Sequence, residues 1–273
     1  MCNILRSRFA IAALVAALLM IVNAATAATL RFGGTGSSLG MLRQVGAEFT
    51  SASGVAIEVV SSLGSSGALH ALADGKLDLV VSARPLKPNE TAAGLRPVLV
   101  LRTPFVLATS HAQPQQLRAS DLPQIFSVDS PRWPDGKPIR IILRPESETD
   151  TTLLGNFYPG MAKAIESARH RPEIPIAATD QDNVALAARI SDSLTGATLT
   201  QLMTEHSHLQ VIAIDGTEPT FANFESGAYR YTKKLYFALG SKSAPGAERF
   251  VSFLQSPPGV KALRAAAILP DKP

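Results

Sequence analysis

The chain has 273 residues, 46% of them hydrophobic and 18% charged, with a formal net charge of +4 at pH 7. That length allows one large domain or two small ones with a real core, and the charge content does not suggest a disordered chain. Without a long Lys/Arg run the chain lacks the footprint of a nucleic-acid binder, and a single cysteine excludes a disulfide framework.

The first 27 residues stand apart. Arg6 and Arg8 precede an apolar run from Phe9 to Val22, and Ala25-Thr26-Ala27 supplies a small-x-small cleavage site before Ala28. The pattern predicts a secretory signal peptide over 1–27; the run is short for a membrane span of about 20 residues, so no stable anchor is expected. Cleavage removes Cys2, and with it any thiol nucleophile or metal thiolate. It also lowers the net charge from +4 to +2, because Arg6 and Arg8 go and no acid does. The predicted compartment lies outside the cytoplasm.

Thr29–Phe32 reads as a strand. Gly33-Gly34-Thr35-Gly36-Ser37-Ser38 follows, and then Leu39, Leu42, Val45 and Phe49 recur at helical spacing. Val55–Val60 is the next strand. Gly64-Ser65-Ser66-Gly67 leads from it into a helix that carries Ala68, Leu69, Ala71 and Leu72 and ends near Asp74-Gly75. A strand feeding a helix through Gly and Ser leaves hydroxyls and unpaired first-turn N–H groups together, which is an anion-binding geometry. An ordinary serine-capped helix gives the same pattern. The spacing does not match G-x-x-x-x-G-K-[ST] and no Lys follows, so a nucleotide P-loop is not predicted.

Leu77–Val81 is a buried strand by composition, ended by Ser82-Ala83-Arg84-Pro85. Strands alternating with helices predict a mostly parallel sheet flanked by helices, with ligands beyond the carboxyl ends of the strands, where both Gly/Ser turns lie. Pro97–Leu101 and Pro104–Thr109 read as two further strands, and Asp121–Phe126 as a short helix. Ile139–Leu143 is another buried strand. It runs into Arg144-Pro145-Glu146-Ser147-Glu148-Thr149-Asp150 and then a helix with Leu153, Leu154, Phe157, Met161 and Ile165 on one face.

Arg144 ends that strand just before Ser147 and Thr149, which can cap the helix. A planar guanidinium beside hydroxyls and helix N–H groups is an oxyanion receptor. The other reading is a surface arginine paired with Glu146, Glu148 or Asp150. Further on, Thr179–Ile190 is helical and Val211–Ile214 a strand. Tyr229-Arg230-Tyr231-Thr232 precedes the strand Lys234–Leu239. Two helices close the chain, the second opened by Ser256-Pro257.

Catalytic and metal signals are weak. His206 and His208 lack the i, i+4 spacing of a zinc pair, so no metal or other cofactor is predicted. There is no G-x-S-x-G elbow, and a secreted hydrolase using Ser65 or Ser66 is the least favoured reading. Glu146 and Glu148, and Asp180 and Asp182, read as solvated loop and capping acids.

Taken in order, these turns resemble those of the periplasmic phosphate-binding proteins of ABC transporters, within the wider family of two-domain solute-binding proteins. The resemblance rests on Gly34-Thr35-Gly36-Ser37-Ser38 after the first strand and on Gly64-Ser65-Ser66-Gly67 entering a helix. It continues with Gly75-Lys76-Leu77-Asp78, with Ser82-Ala83-Arg84-Pro85-Leu86, and with Arg144 to Thr149 as a degenerate Arg…Ser-Gly-Thr motif. Tyr229 to Tyr236 matches the family's late tyrosine segment and returning strand. There are two departures: the family's proton-accepting aspartate falls on Ala83, and the Ser-Gly-Thr glycine falls on Glu148.

The resemblance implies a two-lobed α/β periplasmic binding protein fold of the type II class, each lobe a mostly parallel sheet flanked by helices, with the ligand cleft between them. Lobe one is expected over 28–105 plus 235–273 and lobe two over 106–234, with hinges near Phe105–Thr109 and Lys234–Leu239. Thr35, Gly36, Ser37, Ser38, Ser65 and Ser66 would bind from lobe one, and Arg144, Ser147 and Thr149 from lobe two. The implied function is capture of phosphate or another small oxyanion by a monomeric periplasmic protein, without chemistry. A membrane permease of the ABC type is the implied partner. A ligand-free signalling or interaction protein on the same fold is the competing expectation, favoured by Ala83 and Glu148.

Overall fold

The computed structural model describes residues 29–61, 63–114 and 116–271. The signal-peptide reading, on residues 1–27, lies outside the described residues.

The chain opens with β1 (Leu30–Gly34), a 3-10 turn (Gly36–Ser38), α1 (Leu39–Ser53), β2 (Ile57–Val59), α2 (Gly64–Ala73), β3 (Leu79–Ser82) and α3 (Pro88–Ala92). The long strand β4 (Arg96–Thr109) leads to α4 (Leu122–Ser127), β5 (Arg140–Ile141), α5 (Thr149–Phe157), α6 (Met161–Arg169) and α7 (Asp180–Arg189). Then come β6 (Ser193–Thr198), α8 (Leu199–Thr204), β7 (Gln210–Val211) and α9 (Phe221–Ser226). A second long strand, β8 (Thr232–Leu239), returns to α10 (Pro245–Gln255), α11 (Pro257–Ala265) and β9 (Leu269–Pro270).

Among the described residues the strands pair in the order β2-β1-β3-β8-β4-β6-β5, with β7 and β9 also on β4. The β1–β2, β1–β3 and β5–β6 pairs are parallel. They are joined by antiparallel pairing of β8 with β3 and β4, and of β4 with β6. The parallel pairs therefore lie toward the two ends, and the two long antiparallel strands run between them.

Pro97–Leu101 and Pro104–Thr109 form one strand rather than two. Pro104 is where β4 changes partner: Arg96 to Pro104 pairs with β8, and Phe105 to Ala108 pairs with β6. A residue without an N–H is tolerated at such a handover. The helix expected through Met161 is likewise two helices. Pro159 cannot continue α5, and Gly160 turns the chain at φ 85° before α6.

Two main apolar cores result. One gathers Leu30, Phe32, Met41, Phe49, Leu79, Leu101, Phe237, Phe250 and Leu263 around β1, β3 and β8. The other gathers Phe105, Leu107, Phe126, Trp133, Ile142, Leu154, Met161, Leu194, Phe224 and Tyr229 around β4 and β6. Burial at about 25 cal/mol per Å² of apolar surface makes each core the main support of its own half. Ser or Thr side chains cap four helix entries among the described residues: Thr179 accepts the Asp182 N–H before α7, Thr198 the Gln201 N–H before α8, Thr220 the Asn223 N–H before α9, and Ser256 the Gly259 N–H before α11. The α5 entry is different. Its N-cap is Glu148, with no side-chain cap, and Ser147 and Thr149 do not cap it.

A candidate anion site between the two cores

A cleft of about 190 Å³ lies between the halves. Thr35, Gly36, Leu63, Gly64 and Ser65 line it from one side, and Arg144, Glu148, Ala178, Thr179, Asp180 and Gln181 from the other. The strand–turn–helix junctions place these residues. β1 ends at Gly34, and the Thr35 N–H is held by the Val81 carbonyl at 2.8 Å. The next residues tighten into the 3-10 turn, which directs the Ser37 N–H across the seam.

Arg144 follows the β5 segment and is only 6% exposed, so the surface-arginine reading does not hold. Its Nη1 donates to the Ala177 carbonyl at 2.5 Å. Its Nη2 lies 3.3 Å from Glu148 Oε2 and 3.4 Å from Asp180 Oδ1. Its Nε is buried without a hydrogen-bond partner among the described residues. The Arg144 carbonyl accepts from Thr151 Oγ1 and Arg169 Nη2, which fixes the backbone from which the guanidinium projects.

Asp180 completes the constellation. Its Oδ2 accepts the Ser37 backbone N–H at 2.8 Å and the Thr35 hydroxyl at 3.3 Å. The reading of Asp180 as a solvated capping acid is corrected here. Asp182 and Thr179 form the capping box of α7, whereas Asp180, at the first position of the helix, is buried and faces the other half.

The remaining sequence-predicted residues have mixed placements. Ser38 is buried and turned inward, its hydroxyl donating to the Thr35 carbonyl at 2.8 Å. Ser65 accepts the Ala83 N–H at 2.9 Å, and Ser66 accepts from Arg84 Nη2 at 3.1 Å. Ser147 is exposed and Thr149 half-buried, and neither lines the cleft. The structure thus brings together Thr35, Gly36, Ser37, Ser65 and Arg144, and leaves Ser38, Ser66, Ser147 and Thr149 at its margin.

Behind the cleft is a second, deeper pair. Lys233 of β8, 1% exposed, forms an ion pair with buried Asp150 of α5. Two cations, Arg144 and Lys233, therefore face three carboxylates, Glu148, Asp150 and Asp180. Burial disfavours ionised Asp180, but the charges of Lys233 and Arg144, with the Ser37 and Thr35 donors, outweigh it and lower its pKa. Burial also pulls Lys233 toward neutrality, and Asp150 and Asp180 more than reverse this. Asp150 is raised because its burial exceeds the help from Lys233. Glu148 is raised too, by burial first and then by the neighbouring Asp180 and Asp150, against the pull of Arg144. The pocket therefore carries donors for an anion, but its cations are already matched by carboxylates of its own.

Among the described residues no group of three or more His, Cys, Asp or Glu is arranged to hold a metal ion, and no helix is long and apolar enough to cross a membrane.

Comparison with solved structures places the fold. A putative phosphate ABC transporter substrate-binding protein from Clostridium perfringens, with bound phosphate, superposes with a TM-score of 0.73 at 16% identity, over 89% of this chain and 100% of that one. The periplasmic molybdate-binding protein of Azotobacter vinelandii gives 0.61 at 16% identity, over 89% and 100%. A phosphate-binding protein of Stenotrophomonas maltophilia gives 0.63 at 15%, over 90% and 91%. No curated protein matches the chain. The family profile described as the PBP superfamily domain matches residues 22–258, which hold every cleft residue and most of both cores. The chain belongs to the PBP superfamily of periplasmic binding proteins, and its fold is the two-lobed α/β fold of that group.

Proposed function

We propose that the chain is an extracytoplasmic solute-binding protein that captures a small tetrahedral oxyanion, phosphate or a relative such as molybdate, between lobes spanning 28–105 plus 235–273 and 106–234. The observation that carries this reading is the convergence on one cleft of the Ser37 N–H, the Thr35 hydroxyl and the buried Arg144 guanidinium, donors contributed from both halves. Structural neighbours described as phosphate- and molybdate-binding proteins support it. Binding would proceed without chemistry: closing the lobes excludes water, which strengthens each charge-assisted bond. The same likeness supports delivery to an ABC permease, and with the signal-peptide pattern of residues 1–27 it supports a periplasmic location.

A second reading is a binding-protein fold that has given up soluble ligand for a sensory or interaction role. The buried Asp180 carboxylate on the donors, with Glu148 beside Arg144, favours it. Titration calorimetry of the exported chain with phosphate, sulfate and molybdate separates the two. Saturable one-site binding that is lost in Arg144→Ala supports capture, and no heat with any of the three at millimolar concentration supports the second reading.

A further inference from the structure

Asp180 takes the donors that an oxyanion would take. Its Oδ2 accepts from Ser37 N at 2.8 Å and from Thr35 Oγ1 at 3.3 Å, and its Oδ1 lies 3.4 Å from Arg144 Nη2. The neighbouring Gln181 extends the seam, its Nε2 donating to the Gly36 carbonyl at 2.9 Å and to Glu205 Oε1 at 2.8 Å. The fit is close. A Cβ on Gly36 would stand 2.5 Å from Gln181 Oε1 and 2.8 Å from Asp180 Oδ2. The first turn of α7 is thus seated directly on the 3-10 turn of the other half.

We propose that Asp180 is a built-in competitor for the anion pocket: its carboxylate clasps the two halves together through Ser37, Thr35 and Arg144, and a soluble oxyanion enters only by displacing it. Two anions cannot share these donors in a buried site without strong like-charge repulsion. The surroundings sharpen this. Glu148 and Asp150 add negative charge around Asp180, and Arg144 and Lys233 oppose it. Arg144 nevertheless keeps a buried Nε that has no hydrogen-bond partner among the described residues. That leaves donor capacity beyond what the carboxylates use. Under this arrangement the apparent affinity for an oxyanion is the intrinsic one reduced by the fraction of molecules in which Asp180 is off its donors. The clasp stands by itself, and the competition rests on the oxyanion reading above.

The test compares wild type with Asp180→Asn, which keeps the shape and removes the charge, and with Asp180→Ala. Each is titrated calorimetrically with phosphate and with sulfate, and small-angle scattering gives the radius of gyration without added anion. The expected result is a rise in affinity of about tenfold or more for both anions in both variants, the size of a one-charge coupling between states. Unchanged or weaker affinity in the variants overturns the competitor. If no form of the chain binds either anion, the radius of gyration decides. Expansion in the folded variants supports the clasp and leaves the oxyanion reading as the part that fails, whereas an unchanged radius overturns the clasp. Should Asp180→Ala not fold, Asp180→Asn carries the test.

Discussion

The Asp180 carboxylate accepts the Ser37 backbone N–H at 2.8 Å, although the two residues lie 143 positions apart in the chain. This contact ties the turn after β1 to the entry of α7. It makes the cleft an electrostatic unit rather than a loose collection of polar residues. Its behaviour under mutation follows from which charges are left unmatched.

Arg144 is the first test. It is the cleft's only buried guanidinium among the described residues and faces Asp180 and Glu148. Loss of a charge-assisted bond costs roughly 1.5–3 kcal/mol. Arg144→Ala is expected to weaken oxyanion binding at least tenfold, as read by calorimetry. It is also expected to lower the unfolding midpoint in denaturant, because the Asp180 carboxylate stays buried with one cation fewer. Unchanged affinity would remove Arg144 from the site.

Lys233 and Asp150 test the deeper pair. Breaking a buried ion pair from one side costs about 3–5 kcal/mol, while replacing both partners by apolar groups costs far less. Lys233→Met alone should therefore be strongly destabilising, and Lys233→Met with Asp150→Leu should recover most of the loss in urea unfolding. Additive losses in the double variant would mean that the two side chains are not coupled.

Gly36 tests the seam. A methyl group there meets Gln181 and Asp180 at under 3 Å. Overpacking of this kind costs about 1–3 kcal/mol, here charged to the closed arrangement rather than to either core. Gly36→Ala is expected to push the first turn of α7 off the 3-10 turn and enlarge the radius of gyration, with the secondary structure seen by circular dichroism unchanged. A variant as compact as wild type would show that the seam opens too easily to matter.

Beside the Ser66 turn, the Arg84 guanidinium hydrogen-bonds both oxygens of Glu90, at 2.7 and 2.9 Å, and holds its carboxyl down to about 2. A depressed acid contributes stability that is present above its unfolded pKa and is lost as pH falls through the folded one. The Glu90 contribution should therefore fade from about pH 4.3, the ordinary glutamate value, to about 2. Melting temperatures over that window should fall less steeply in Glu90→Gln than in wild type. Parallel profiles would contradict the assignment.

Much of the fold is legible in the sequence because its units are local. The runs Thr29–Phe32 and Leu77–Val81, the Gly/Ser turns after strands, and the helical spacing of Leu39, Leu42, Val45 and Phe49 each state one element. Arg144 is legible because a charged residue closes an apolar strand. Asp180 is not. In Thr179-Asp180-Gln181-Asp182 the capping box already accounts for acids at a helix start, and only the partner turn, far away in sequence, shows that one of them points across the cleft. Lys233 did leave a signal. It alternates with Leu235, Phe237 and Leu239 on the buried face of β8, and a lysine at such a position calls for a carboxylate. Asp150, which the sequence offers as a partner for Arg144, is instead the carboxylate that answers Lys233.

An oxyanion receptor built from the donors around Ser37 and Arg144 would hold its ligand in the cleft. Its most direct test is a crystal structure of residues 28–273 grown with molybdate, whose anomalous scattering locates the anion without reference to the protein. One strong anomalous peak is expected in the cleft, within hydrogen-bond distance of the Ser37 N–H and the Arg144 guanidinium, with the Asp180 carboxylate moved off both. A cleft without anomalous density at saturating molybdate, with Asp180 still on Ser37, would contradict it.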